Sequence, residues 1–342
     1  GKRGILNFNI LLTLAVIFGC MAYQAGNITG AVRGIQLAIN GQKTGIVIII
    51  FLFAFSLMWI EKIKLITGTL SILVSIMALL FLFLSLKTDY SISDLSLSLI
   101  QPKIPDSSSI LIIGLIGTTI VPYNLFMGSG LSRNRDLKST RFGLISAILV
   151  GGLITVFIVI TGTLIQDEFS FQTISATIQS KTGLWGTYAF AIGLFAAGFT
   201  SSVTAPLASA ITARTLIPNS NDLQKRFIYR LTWIIVLCIG TLFSLLDYNP
   251  VLIIILAQVI NGLILPFVAI SIFFVINDKK IIPDNNRNGG LANLVLILIV
   301  GIMIFLGVFH LLGVVINIIK ISSDLYFKMT IAGIISFIAV VY

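Results

Sequence analysis

The chain has 342 residues, of which 57% are hydrophobic and 10% are charged, and its formal net charge is +10. This composition excludes a soluble globular domain and is typical of a membrane protein with many spans.

Apolar stretches long enough to cross a bilayer recur along the whole sequence. Nine are predicted to span: Asn7–Asn40, Gly45–Ile60, Leu65–Leu86, Ile110–Leu131, Phe142–Ile165, Leu184–Ile217, Phe227–Leu246, Val251–Ile276 and Leu291–Ile319. A tenth stretch, Met329–Tyr342, is short, and the sequence leaves open whether it spans. The predicted fold class is an all-α, multi-pass integral membrane protein.

Lysine and arginine are unevenly distributed between the loops. With alternating loops, 15 of the 22 basic residues lie on the side of the N-terminus and 6 on the other, while Arg33 lies within the first span. The positive-inside rule then predicts a cytoplasmic N-terminus. We expect the protein in the plasma (inner) membrane. Because topology explains the net charge, we expect the lipid bilayer as a partner, no nucleic acid and no obligate protein partner.

The fourth predicted span is interrupted by Gly117-Thr118-Thr119-Ile120-Val121-Pro122. Pro122 has no N–H and its ring clashes with the carbonyl four residues back, so the helix should open near Thr118 and Thr119. Freed carbonyls at membrane depth are tolerated in protein-lined cavities, and broken helices bind ions in transporters. The pattern predicts an ion site with Gly117 and Pro122 at the break, although a proline kink made for packing is the alternative.

Two pairs of amide side chains lie within other spans. Gln258 and Asn261 are three residues apart, hence on one face of a helix, and Gln24 and Asn27 lie at or near membrane depth in the first span. Polar groups at this depth either line a polar cavity or form hydrogen bonds between helices, and the sequence leaves both open.

An internal repeat is indicated by the similarity of Ala25–Val32 to Ala197–Thr204. The two segments lie in the first and sixth spans, and because this spacing of five spans is odd, the copies should be inverted, as in one known transporter architecture. Residues 1–342 are then a single transmembrane transporter domain. Residues 1–86 are predicted to be the last three helices of the first repeat, 108–276 the second repeat and 290–342 extra helices.

None of the twelve carboxylates lies at the centre of a span, where a proton-driven pump normally needs a titrating group. His310 is the only histidine. The sequence also has no membrane-embedded Ser–His, paired Asp or His/Glu metal motif, so we do not expect an enzyme.

The segment Gly117–Phe126 resembles the sixth-helix signature of the Nramp divalent-metal transporters, Gly-Ala-Thr-Val-Met-Pro-His-Asn-Leu-Phe. Ala196–Ala208 resembles that family's eighth helix and Leu256–Phe267 its tenth, and the similarity extends to about Leu312. The resemblance implies the inverted five-plus-five leucine-transporter fold. The family's first-helix Asp-Pro-Gly-Asn motif has no counterpart here, so we expect the first two helices to be missing.

This chain departs from the family where the metal is bound. The family's metal-ligating Met is Val121 here, its Ala is Thr118 and its His is Tyr123, while its proton-transferring acids fall on Gln24 and Asn27. The chain looks most like the Nramp-related magnesium/manganese branch. The resemblance implies uncoupled transport of Mg²⁺ or Mn²⁺, since hydroxyl, amide and carbonyl oxygens suit hard ions.

On this basis Thr118, Val121 and Gln258 are expected to contact the metal ion. The expected path-lining residues are Gln24, Asn27, Thr119, Tyr123, Asn124 and Asn261. The divalent cation is cargo, and no resident cofactor is expected. Three other functions stay open: a proton-coupled Mn²⁺/Fe²⁺ symporter, an amino-acid or organic-solute carrier of the same fold, and a membrane protein that does not transport.

Overall fold

The structure is a computed structural model. It describes residues 2–39, 41–88, 91, 93, 97, 121–132, 136–163, 170–217, 220–246, 250–278, 281–283, 288–319 and 325–341. Within these, residues 2–9, 63, 122, 131, 250–263, 310, 313–319, 325–326 and 341 are described by their backbone alone.

The described residues fold almost entirely into helices. In chain order they are α1 (Lys2–Ala38), α2 (Lys43–Trp59), α3 (Ile63–Leu86), α4 (Pro122–Ser132), α5 (Leu137–Gly162), α6 (Phe171–Thr182), α7 (Leu184–Arg214), α8 (Asp222–Leu245), α9 (Pro250–Asn277), α10 (Gly290–Ile319) and α11 (Leu325–Val341). Among the described residues, six helices are long and apolar enough to cross a membrane: α1, α3, α5, α7, α8 and α10.

The helix ends differ from the predicted spans where polar residues extend a helix beyond its apolar part. Helices α5 and α8 begin at Leu137 and Asp222, earlier than predicted, because Asp136 and Asn221 cap them. Their side chains accept hydrogen bonds from the backbone N–H groups of Ser139 (3.0 Å) and Gln224 (2.8 Å). Span prediction followed hydropathy alone and therefore missed these starts.

Helix α6 was not among the predicted spans, because it is short and half polar. Ser170 caps its start, with Ser170 Oγ accepting from Thr173 N–H at 2.9 Å. Gly183 separates α6 from α7 and has a φ of 74°, a left-handed conformation that glycine adopts without strain.

Contacts divide the chain into two compact units. Unit 1 comprises Gly1–Gly19, Ile104–Phe126 and Ile254–Tyr342, and unit 2 comprises Cys20–Lys103 and Met127–Ile253. In unit 1, α10 packs against α11, and Ser336 Oγ donates a hydrogen bond to the Gly301 carbonyl at 2.5 Å.

Helix α7 lies at the centre of unit 2, where it packs against α2, α3, α6 and α8. The larger hydrophobic cluster around α7 contains fully buried side chains from five helices, α1, α2, α3, α7 and α8, among them Ile28, Met58, Phe199 and Trp233. A second cluster, which includes Phe81, Ile178 and Phe190, joins α3, α6 and α7. Unit 2 is thus organised around one helix contacted on most of its surface.

Candidate functional site

Helix α4 begins at Pro122, and Val121 before it is not helical. Proline suits the first position of a helix, where its missing N–H leaves no bond unmade. The Val121 carbonyl accepts a hydrogen bond from Asn124 N–H at 3.0 Å. Val121 and Tyr123 are buried, whereas Asn124 is exposed. A carbonyl oxygen has two lone pairs, so that of Val121 can accept a second partner.

Several predicted site residues cannot be placed. Gly117, Thr118 and Thr119 lie outside the described residues, and the side chains of Pro122, Gln258 and Asn261 are not described either. The backbones of Gln258 and Asn261 are helical, within α9. The proposed contacts of Thr118, Val121 and Gln258 with a metal ion therefore stay predictions.

Gln24 is fully buried on α1, and its contacts are specific. Its amide nitrogen Nε2 donates a hydrogen bond to the backbone carbonyl of Ser202 on α7 at 2.7 Å. In a helix that carbonyl would accept from the N–H four residues later, but the residue there is Pro206, which has none. The Gln24 side chain thus supplies the donor that Pro206 lacks.

Glycines bring the backbones around Gln24 close together. A Cβ atom built on Gly240 of α8 would lie closer than 3.0 Å to Gln24, so only glycine leaves room for this side chain. A Cβ on Gly198 of α7 would meet backbone atoms of Asn27 and Ala31 at similarly short distances. Helices α1, α7 and α8 therefore pack backbone to backbone, as small residues permit in membranes.

Polar atoms continue along the same part of α1. Among the described residues, Gln24 Oε1 and Asn27 Nδ2 are buried without a hydrogen-bond partner. The Thr29 hydroxyl lies 2.8 Å from the Ala25 carbonyl and 3.1 Å from Ser244 Oγ on α8. Gln24 and Asn27 thus present one unused acceptor and one unused donor, three residues apart on the same face of α1.

Sequence reasoning did not identify Ser202, Pro206, Gly240 and Ser244 as partners of these side chains. Pro206 within a small, hydroxyl-rich stretch was the available signal, because an interior proline always leaves a carbonyl that needs a donor. Which donor supplies it depends on packing between segments 178 residues apart.

An ion network lies at another place in unit 2. Glu61, in the turn between α2 and α3, accepts hydrogen bonds from Arg226 (3.0 Å) and Arg230 on α8. The Arg230 guanidinium lies 4.5 Å from the centre of the Trp59 ring. Glu61 has a φ of 54°, which is unusual for a residue other than glycine. Within the described part of the chain, no three His, Cys, Asp or Glu side chains form a cluster that could hold a metal.

Comparisons with known proteins agree with this architecture. The model of the Nramp family, described as "Natural resistance-associated macrophage protein-like", matches residues 6–313. A crystal structure of the Eremococcus coleocola manganese transporter covers 98% of this chain and 77% of its own, with a TM-score of 0.69 at 17% identity. That likeness confirms the predicted all-α, leucine-transporter-like fold.

Curated relatives are similar over most of the chain. The divalent metal cation transporter MntH of Caldanaerobacter subterraneus subsp. tengcongensis is 22% identical over 297 residues, 81% of this chain and 69% of that protein. MntH of Vibrio campbellii is 21% identical over 83% of this chain and 65% of its own length. Nramp4 of Arabidopsis thaliana, a metal transporter, is 27% identical over 51% of this chain and 40% of its own.

These relatives are transporters and none is an enzyme, in agreement with the prediction. The matched family and the apolar helices also confirm an integral membrane protein with many spans. Since the family model covers the chain from residue 6 to residue 313, the chain belongs to the Nramp family.

Proposed function

We propose that this protein moves divalent metal cations across the membrane, with Mg²⁺ or Mn²⁺ as cargo, and that transport is not coupled to protons. The observation that carries the first part is the family match over residues 6–313. The names of its relatives, a divalent metal cation transporter and a manganese transporter, support the class of cargo.

The choice of ion rests on the expected ligands near the start of α4 and on α9. Val121 stands where the family has a methionine, so its side chain offers no soft sulfur ligand. The Thr118 hydroxyl and carbonyl, the Val121 carbonyl and the Gln258 amide would bind the ion with oxygen. Oxygen ligands favour Mg²⁺ and Mn²⁺ over softer metals. Mg²⁺ loses water reluctantly, so Gln258 could also bind through a water molecule.

Absence of proton coupling is supported by the contacts of Gln24. The Ser202 carbonyl that Pro206 leaves without a backbone donor needs a donor at position 24, and the Gln24 amide donates at every physiological pH. An ionised carboxylate at position 24 would place its oxygen, a hydrogen-bond acceptor, against the Ser202 carbonyl oxygen, which is also an acceptor. Position 24 thus favours a permanent donor over a group that gains and loses a proton.

Alternating access would use α1, α2, α7 and α8 as the scaffold. Within unit 2, α7 packs on both α2 and α8, and α2 packs on α8. In this proposal the bundle that contains α4 rocks against them, and Tyr123, Asn124, Asn27 and Asn261 line the path. The positive-inside bias supports a cytoplasmic N-terminus, and the proposal locates the protein in the plasma membrane.

Uptake into liposomes tests the proposal. The purified protein is reconstituted, Mg²⁺ or Mn²⁺ is added outside, and a metal indicator and a pH dye are read inside. We expect metal entry without acidification. The variant Gln258→Leu should lower uptake about tenfold or more, as loss of a group that holds a metal does. The control Gln172→Leu changes an exposed glutamine on α6 and should not alter it.

Other outcomes would replace parts of the proposal. Metal entry with acidification would indicate a proton-coupled Mn²⁺ or Fe²⁺ symporter. Uptake unchanged by Gln258→Leu would remove Gln258 from the site. No metal uptake, together with uptake of amino acids, would indicate a solute carrier of the same fold.

A further inference from the structure

The corner between α7 and α8 contains a groove of about 480 Å³. Its lining includes Ile217, Leu223, Phe227 and Ile228 as apolar residues and Ser220 and Gln224 as polar ones. Leu223 and Phe227 are 80% and 63% exposed, although both are large and apolar. Because α8 is long enough to span the membrane, its first turns lie near one surface of the bilayer.

Basic side chains lie at the same end of α8 as this groove. Glu61 forms ion pairs with Arg226 and Arg230 in the first turns of α8, and Lys62 and Lys64 follow it at the start of α3. Lys225 follows the groove-lining residue Gln224 in the chain, and the Arg214 guanidinium lies 5.8 Å from the centre of the Tyr229 ring on α8. This region thus contains six cationic side chains and two acidic ones, Glu61 and Asp222.

The acidic side chains do not compensate the cluster. Both oxygens of Glu61 contact arginines. Among the described residues, Lys62, Lys64 and Lys225 have no acidic partner within 4.0 Å. Lys62 and Lys64 are exposed, and Lys225 is partly exposed. An excess of positive charge therefore lies at the same end of α8 as the apolar groove.

We infer that this corner is a binding site for an anionic phospholipid. One acyl chain occupies the groove along Leu223 and Phe227, and the negative headgroup lies against Lys62, Lys64 and Lys225. A basic cluster at a membrane surface attracts anionic headgroups, and an adjacent apolar groove accepts the chain of the same molecule. Zwitterionic lipids can fill the groove but leave the lysines without a counter-charge.

An acidic protein segment is the other occupant with suitable charge. The groove favours lipid, because Leu223 and Phe227 start a membrane-spanning helix and lie at the depth where headgroups meet acyl chains. The inference concerns unit 2 alone and does not depend on which ion is transported.

Native mass spectrometry of the purified full chain tests the site. The protein is titrated in detergent with phosphatidylglycerol and with phosphatidylcholine of the same acyl chains. The variant Lys62→Gln/Lys225→Gln removes two lysines that have no acidic partner and keeps the Glu61–arginine contacts. The control Lys87→Gln/Lys181→Gln removes the same charge from two other exposed positions.

We expect the native protein and the control to bind phosphatidylglycerol preferentially. In Lys62→Gln/Lys225→Gln that preference should fall roughly tenfold or more, since each lysine near an anionic surface changes affinity about fivefold. A second variant, Leu223→Ala/Phe227→Ala, should weaken binding of both lipids.

Equal binding of the two lipids by the native protein would overturn the inference, and so would an equal loss of preference in both lysine variants. The inference would also fail if poly-glutamate displaced phosphatidylglycerol and bound Leu223→Ala/Phe227→Ala unchanged. That result would identify an acidic protein partner instead.

Discussion

Helices α7 and α5 are both long enough to cross the membrane, yet they differ in what surrounds them. In the most apolar 18-residue stretch of α7, 67% of the residues are buried within the protein, whereas in the corresponding stretch of α5 the share is 11%. The less buried helix is the more apolar of the two. In a bilayer, lipid contacts favour large apolar residues, while close packing between helices favours small and hydroxyl-bearing ones. Hydropathy therefore predicts that a segment spans, and residue size predicts what it contacts.

Glycine shows the same difference at single positions. Cβ atoms built on Gly186, Gly193 and Gly198 of α7 would meet other atoms at 3.0 Å or less. Cβ atoms on Gly143, Gly151 and Gly152 of α5 would have no atom within 4 Å. The glycines of α7 are thus closely packed, and Gly198 is required where it meets backbone, whereas those of α5 have open space around them.

The largest effect is expected from Gly198→Ala. The added methyl group would press on the backbone of Asn27 and Ala31, which cannot move as a flexible side chain does. Overpacking of this kind costs about 1–3 kcal/mol or more. Melting of the purified protein in detergent measures the loss.

The matched control for that substitution is Gly151→Ala in α5. With open space around Gly151, alanine should stabilise the helix by roughly 0.5–1 kcal/mol, because glycine loses more backbone entropy on folding. If Gly198→Ala and Gly151→Ala changed the melting temperature by the same amount, the close backbone contact between α1 and α7 at Gly198 would be contradicted.

The second effect concerns the hydrogen bond from Gln24 to α7. Gln24→Leu leaves the Ser202 carbonyl buried without its donor, which should cost about 1–3 kcal/mol. Pro206→Ala restores an N–H that can bond the same carbonyl. The loss caused by Gln24→Leu should therefore be smaller in the Pro206→Ala background, as measured by a double-mutant cycle of unfolding free energies.

A lipid-exposed bond on α5 provides the contrast. Thr155 Oγ1 donates to the Gly151 carbonyl at 2.9 Å, but that carbonyl also has the backbone N–H of its own helix. Thr155→Val should change stability by less than about 0.5 kcal/mol.

In the double-mutant cycle, additive effects of Gln24→Leu and Pro206→Ala on the free energy of unfolding would contradict the role of Gln24 as the substitute donor.

Membrane insertion, helix order and the location of most helices could be predicted from the sequence, because apolar length determines them. Helix α6 could not, since a short, half-polar helix gives no span signal, and its cap at Ser170 is only a local indication. The polar residues Gln24 and Asn27 were identified, but their partners were not. Those partners depend on how Gly198 and Gly240 bring distant backbones together, which periodicity along one helix does not contain.

The smallest effect is expected at the solvent-exposed start of α5. The hydrogen bond from Ser139 to the Asp136 carboxylate holds the pKa of Asp136 below its ordinary value of 3.8. A carboxylate whose pKa is lower in the folded protein stabilises it above the unfolded-state pKa, and this contribution is lost as the pH falls through the folded-state value. Asp136→Asn keeps an N-cap that does not titrate. The difference in melting temperature between the native protein and this variant should therefore shift towards the variant as the pH falls below about 4. A melting-temperature difference that stays constant with pH would show that the Asp136 carboxylate makes no such contribution. Helix α7 carries no carboxylate among its residues, so no carboxylate of its own makes its stability depend on pH in this way.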